Sequence, residues 1–141
     1  MPSTGPGASS RYAHVRLRVP APAKVNWTLE VLGRRPDGYH EVRTVLQTID
    51  LCDTLELEAA PELTLERGQG TASQEDLALR AARLLAEKTG STRGARIRLT
   101  KAIPEAAGLG GGSSDAAAAL RGLNKLWSLD LSREELATLA A

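Results

Sequence analysis

Residues 108–115 read GLGGGSSD and run without a break into AAAAL at 116–120. Four glycines in five residues therefore abut a run of alanine, the best helix former. Upstream, ARIRLTKAI (95–103) alternates apolar and basic residues, the period-2 pattern of a strand with Ile97 and Leu99 inward and Arg96 and Arg98 outward. Strand, glycine turn and helix start, in that order, make a ready anion site. The first four N–H groups of a helix lack intrahelical acceptors, and the macrodipole places about half a positive charge there. Glycines let phosphate oxygens reach the backbone and supply the positive φ values such a cradle needs. Ser113 and Ser114 add hydroxyl donors, or in one case a ligand to phosphate-bound Mg²⁺, and the helix is expected over Ser113 to about Leu126. The competing reading is a loop of small residues that only lets helix and strand approach. Three consecutive glycines cost more conformational entropy than such packing requires.

Two familiar phosphate loops are excluded. A Walker A loop needs Lys and then Ser/Thr after its last glycine, whereas Ser113 follows Gly112 directly. The dinucleotide fingerprint, counted from Gly108, needs Gly or Ala where Ser113 stands.

Working outward, Leu77, Ala81, Leu84 and Leu85 recur at helical spacing, so a helix is expected from Asp76 to Thr89, capped by Ser73 or Asp76 and closed by Gly90. A third helix opens in SREELATLAA (132–141) with a capping box of Ser132 and Glu135. ELTLER (62–67) reads as a short strand. In HVRLRVPAPAKVNWTLEVLG (14–33), Val15, Leu17 and Val19 share one face of a first strand. Val25, Trp27, Leu29 and Val31 share one half-buried face of a second, and PAPA (20–23) marks a break or an edge between them. Pro36, Asp37 and Gly38 form a turn in RRPDGYH (34–40). Two more strands are expected in EVRTVLQTI (41–49) and DTLELEA (53–59), where Leu55 and Leu57 alternate with acids. Strands precede or alternate with helices that come late, which makes the class α+β. Pro, Gly and Ser in residues 1–13 read as a disordered tail before one domain, 14–141.

Composition narrows the function. The chain has 141 residues, 42% hydrophobic and 25% charged, with net charge +1, so no global field draws it to nucleic acid or membrane. Locally, residues 76–101 hold seven Lys/Arg against two acids, which suits an anionic ligand or a solvated face. A lone Cys52 excludes an internal disulfide and fits a reducing cytoplasm. No run approaches the roughly 18 apolar residues of a membrane span, and the N-terminus lacks the pattern of a secretory signal. A cytoplasmic protein is expected.

Two further groups carry chemistry. Lys24 and Asn26, two apart, point to the same face of a strand, where a cation and an amide hold a reacting hydroxyl. A solvated lysine is the plain alternative. Tyr39 and His40 follow the tight turn, placed either to stack on a nucleobase or simply to pack the turn. His14 and Cys52 are read as structural.

PEAAGLGGGSSDAAAAL (104–120) resembles the phosphate loop of the GHMP kinases, small-molecule kinases that include galactokinase, homoserine kinase and mevalonate kinase. PAKVNWTLEVLGRRPDGYHEV (22–42) is similar to the opening of one branch of that family, with its Ala-Lys-x-Asn and Asp-Gly-Tyr-His motifs. The resemblance implies a ribosomal-protein-S5-domain-2-like α+β fold, with a mostly antiparallel or mixed sheet and helices on one face. It places ATP, as co-substrate with Mg²⁺, on Lys101, Pro104, Glu105, Ala106, Ala107, Gly108, Leu109, Gly110, Gly111, Gly112, Ser113 and Ser114; direct metal ligands stay unassigned. It makes Lys24 catalytic, Asn26 a substrate contact, and Tyr39 and His40 the cytidine-recognising pair. The implied reaction moves the ATP γ-phosphoryl group to the 2-hydroxyl of a cytidine-diphosphate-linked methylerythritol in the non-mevalonate isoprenoid route.

The family's catalytic Asp lies in a Gly-x-Asp-Val-Pro-like stretch after the helix that begins here near Arg133. No Asp-Val-Pro occurs in the 141 residues. The resemblance therefore implies the N-terminal part of such an enzyme, without its second domain and inactive alone. Asp115 does not replace the missing acid, since a carboxylate near a helix start suits the dipole and the cap. The rival expectations are another GHMP small-molecule kinase and a non-catalytic S5-like RNA-binding module.

Overall fold

The structure, a computed structural model, describes residues 15–68 and 76–140. The expected tail, His14 and the Ser73 cap lie outside the described residues. β1 (Arg16–Arg34) and β2 (His40–Ala60) form a long antiparallel hairpin. It is followed by β3 (Leu63–Arg67), α1 (Leu77–Thr89), β4 (Gly94–Thr100), α2 (Gly111–Leu126) and α3 (Arg133–Ala140). The sheet order is β1-β2-β4-β3, with β4 antiparallel to β2 and parallel to β3, so α1 is the crossover of a β-α-β unit. The class is α+β with a mixed sheet, as expected.

β1 and β2 are each one strand where the sequence pattern suggests two. Pro20 and Pro22 pair with Thr54 and Cys52 without ending β1, because β1 is the edge strand and needs no N–H on its outer side. PAPA is thus an edge and not a break. Ala21 and Ala23, between and after the prolines, are fully buried. The register slips three times, between Pro22 and Lys24, between Asn26 and Thr28, and between Val31 and Gly33.

The core lies between one sheet face and the helices. Leu55, Leu57, Ile97 and Leu99 point inward at 0% exposure and meet Ala82 and Leu85 of α1 and Ala118, Ala119 and Leu123 of α2. Gly122 is what lets α2 lie so close. A Cβ there would stand 2.9 Å from both Leu57 methyls. On the outer face, Arg96 and Arg98 pair with Glu58 and Glu66, so part of the basic run is spent in cross-strand ion pairs.

The outer half of the hairpin departs from expectation. Trp27, Leu29 and Val31 are 68, 61 and 59% exposed, not half-buried. Val42, Val45 and Leu46 of the facing strand are exposed as well. Among the described residues this ribbon is flanked only by its own partner strand, so its apolar alternation has no second layer to meet. No described helix is long and apolar enough to cross a membrane.

Candidate functional site

β4 ends at Thr100, and residues 101–110 loop across its end before α2 begins at Gly111, two residues earlier than expected. Gly110 is the N-cap residue at φ 70°, a left-handed conformation that glycine adopts without strain, and no side chain caps the helix. Only Ser114 of the loop's end is spent on the backbone, donating to the Gly110 carbonyl at 3.0 Å. Among the described residues, the amides of Leu109, Gly110, Gly111, Gly112 and Ser113 donate to no carbonyl or side chain. Five unspent donors gather at the positive end of a 16-residue helix.

Each glycine of the triplet meets a different wall. A Cβ on Gly110 would lie 3.0 Å from Lys24 Cε, one on Gly111 3.1 Å from Ile103 Cγ2, and one on Gly112 3.1 Å from Leu77 Cδ1. The loop is therefore seated on the β1 edge, the post-β4 segment and the start of α1 together. It encloses one side of a cleft of about 450 Å³ that Arg67, Asp76, Lys101 and residues 104–113 line.

Lys24 holds this loop from the sheet side. The bulge after Pro22 frees its backbone N–H to donate to the Leu109 carbonyl at 3.0 Å, and its ammonium donates to the Gly108 carbonyl at 2.9 Å. The amine faces the loop, not the far side of the sheet. Asn26 follows without irregularity on the same face and accepts from the Thr44 hydroxyl at 3.2 Å. Tyr39 and His40 are not brought to the cleft. They sit at the hairpin tip, where the Tyr39 amide donates to Asp37 Oδ1 and the Tyr39 ring is 75% exposed.

Lys101 borders the cleft, yet its ammonium is already occupied. It donates to Asp53 Oδ2 at 2.6 Å and to Asp115 Oδ2 at 2.9 Å. Asp53 Oδ1 accepts from the amides of Ala102 and Ile103 at 2.7 and 2.8 Å. Burial pushes the Asp115 carboxyl up to about 7, reinforced by its hydrogen bond to Asp53 and only partly opposed by Lys101. For Asp53 the burial penalty is outweighed by hydrogen bonds from Asp115, Ile103, Lys101 and Ala102, which hold its carboxyl below the usual value. Burial would lower Lys101, but the two carboxylates raise it. Asp115 Oδ1 is buried without a partner.

Sequence reasoning missed Asp53 and Arg67. Asp53 shares its parity with Leu55 and Leu57, so an acid on the buried face was the available signal. Arg67, at the end of β3, pairs with Asp76 at 3.5 Å and with Glu105 of the loop, joining two sides of the cleft; no sequence pattern announced it. No cluster of three or more His, Cys, Asp or Glu able to hold a metal occurs among the described residues.

An uncapped helix start behind a glycine loop, beside a lysine from the edge strand of an α+β sheet, is an arrangement that suits an anionic ligand. Residues 76–141 match the GHMP kinases N terminal domain, and nearly all of the chain is similar to proteins that carry kinase names. Among its relatives, a protein of Symbiobacterium thermophilum named 4-diphosphocytidyl-2-C-methyl-D-erythritol kinase is 55% identical over 127 residues, 88% of this chain and 45% of that protein. One of the same name from Geobacillus kaustophilus is 54% identical over 132 residues, 90% of this chain and 46% of that protein. The crystal structure of a 4-(cytidine 5'-diphospho)-2C-methyl-D-erythritol kinase superposes with TM-score 0.74 at 45% identity, covering 89% of this chain and 46% of that one. A homoserine kinase from Cytophaga hutchinsonii, 18% identical with TM-score 0.65 over 89% of this chain and 39% of that one, shares the fold. This chain thus spans less than half the length of the curated relatives it matches.

Proposed function

We propose that this chain binds the triphosphate of ATP, with Mg²⁺, on the Leu109–Ser113 amides and serves transfer of the γ-phosphoryl group to the 2-hydroxyl of 4-diphosphocytidyl-2-C-methyl-D-erythritol. The observation that carries the reading is the row of five unspent amides at an uncapped helix start. The names of relatives at 54 and 55% identity support the acceptor.

Phosphoryl transfer needs positioning and charge stabilisation more than covalent help, because its transition state is loose and negative. Backbone amides aimed at the phosphates supply both without reorganisation. Mg²⁺ keeps most of its ligands from water and phosphate, which suits a cleft without a carboxylate cage; Ser113 and Ser114 are the hydroxyl donors within reach of such an ion. When bound, it screens the phosphate charge. Lys24 stands on the loop's sheet side with Asn26 beside it, placing a cation and an amide where the acceptor oxygen would approach. Tyr39 and His40 would meet the cytidine end from the hairpin. No residue of this chain is assigned as the base that takes the hydroxyl proton.

Calorimetric titration tests the reading. Mg²⁺–ATP should bind the 141-residue chain, and cytidine diphosphate should bind wild type but lose affinity in Tyr39→Ala/His40→Ala. Absence of ATP binding would refute the nucleotide site. ATP binding with indifference of both ring variants to cytidine diphosphate would refute only the acceptor, leaving another GHMP substrate.

A further inference from the structure

We propose that Asp53, Lys101 and Asp115 are positioning residues for the phosphate loop: the Lys101 ammonium, gripped by one carboxylate from β2 and one from α2, fixes the segment from which the loop departs and so sets where its amides point. The cluster joins three elements at one point. Asp53 is fully buried on β2 and holds three donors, the Lys101 ammonium and the two amides that follow it. Asp115 is 3% exposed, one turn into α2, and takes the same ammonium from the other side. Gly111 packs directly above, where a Cβ would come within 3.3 Å of Lys101 Nζ. A shift of the ammonium therefore moves the first helical residue of the anion cradle. The inference rests on the nucleotide reading of that cradle, but the position of the loop is measurable without nucleotide.

The test combines ¹⁵N NMR of the loop amides with binding of a fluorescent ATP analogue, on wild type, Asp115→Asn, Lys101→Met and Lys101→Arg. The expected result is that Asp115→Asn and Lys101→Met each displace the Leu109–Ser113 resonances while the Ala78 and Glu135 amides stay in place. Lys101→Arg, which keeps the cation, should restore them in part. Affinity for the analogue should fall about tenfold in Lys101→Met and recover in part in Lys101→Arg, the size expected from loss of one charge-assisted hydrogen bond. Should Lys101→Met unfold the chain, the Asp115→Asn comparison alone decides. Loop amides that ignore both Asp115→Asn and Lys101→Met would overturn the inference. Amides that follow the cluster while ATP fails to bind wild type would uphold the positioning role and refute the nucleotide reading instead.

Discussion

The helices α1 and α2 both start at the same cleft, and they start differently. Asp76 caps α1, its Oδ1 accepting from the Ala78 amide at 3.0 Å, so one first-turn amide of that end is satisfied from within. Gly110 stands at the same place in α2, offers no side chain, and leaves five amides without acceptors. Helix α3 follows the first pattern, with Ser132 and Glu135 bonded reciprocally at 2.7 and 3.1 Å. A capped end contributes to stability; an open one keeps its donors for a ligand. The difference between α1 and α2 is thus the difference between an end closed by its own cap and one left open to a ligand.

The largest expected effect lies just inside the open end. Because the Asp115 carboxyl sits near 7 in the fold against an ordinary 3.8, the folded protein holds a proton that the unfolded chain has released between those values. Stability from this group is therefore full below about pH 4, falls as pH rises to about 7, and is flat above. About 1.4 kcal/mol per unit makes the loss roughly 2–4 kcal/mol, shared with Asp53 through their contact. Urea melts across that window should show the slope in wild type and its absence in Asp115→Asn. Parallel slopes would mean the acid is already ionised.

Next in size, Gly111→Val would fill the open end, since even a Cβ meets Ile103 at 3.1 Å. Affinity for Mg²⁺–ATP should drop about 100-fold, near 3 kcal/mol, measured by calorimetry. Retained affinity would show that the triphosphate lies elsewhere. At the capped end, Asp76→Ala should cost about 1 kcal/mol in a denaturant melt and leave ATP affinity within about threefold. A loss of binding as large as that of Gly111→Val would erase the distinction between the two helix starts. The smallest effect is expected at Ser132→Ala, about 0.5–1 kcal/mol with no change in binding.

The open end was the most legible part of the molecule. Glycines, small hydroxyls and an alanine run state the loop and helix directly, and Asp76, Gly90 and the Ser132–Glu135 box mark helix ends by chemistry that acts within a few residues. Long-range relations were less visible. Alternation in Val25–Val31 told which side chains share a face, yet not that no described helix lies over them. The prolines of PAPA looked like a break because nothing local says that β1 is an edge. Lys101 was placed near the nucleotide, but its two carboxylate partners come from residues 48 and 14 positions away, one of them an acid in line with two buried leucines.

The most direct measurement is the ¹⁵N spectrum of the chain as Mg²⁺–ATP is added. Shifts should concentrate at Leu109–Ser113, with the Ala78 and Glu135 amides, already bonded to their caps, staying in place. Equal movement at all three helix starts, or none at the glycine loop, would contradict the account.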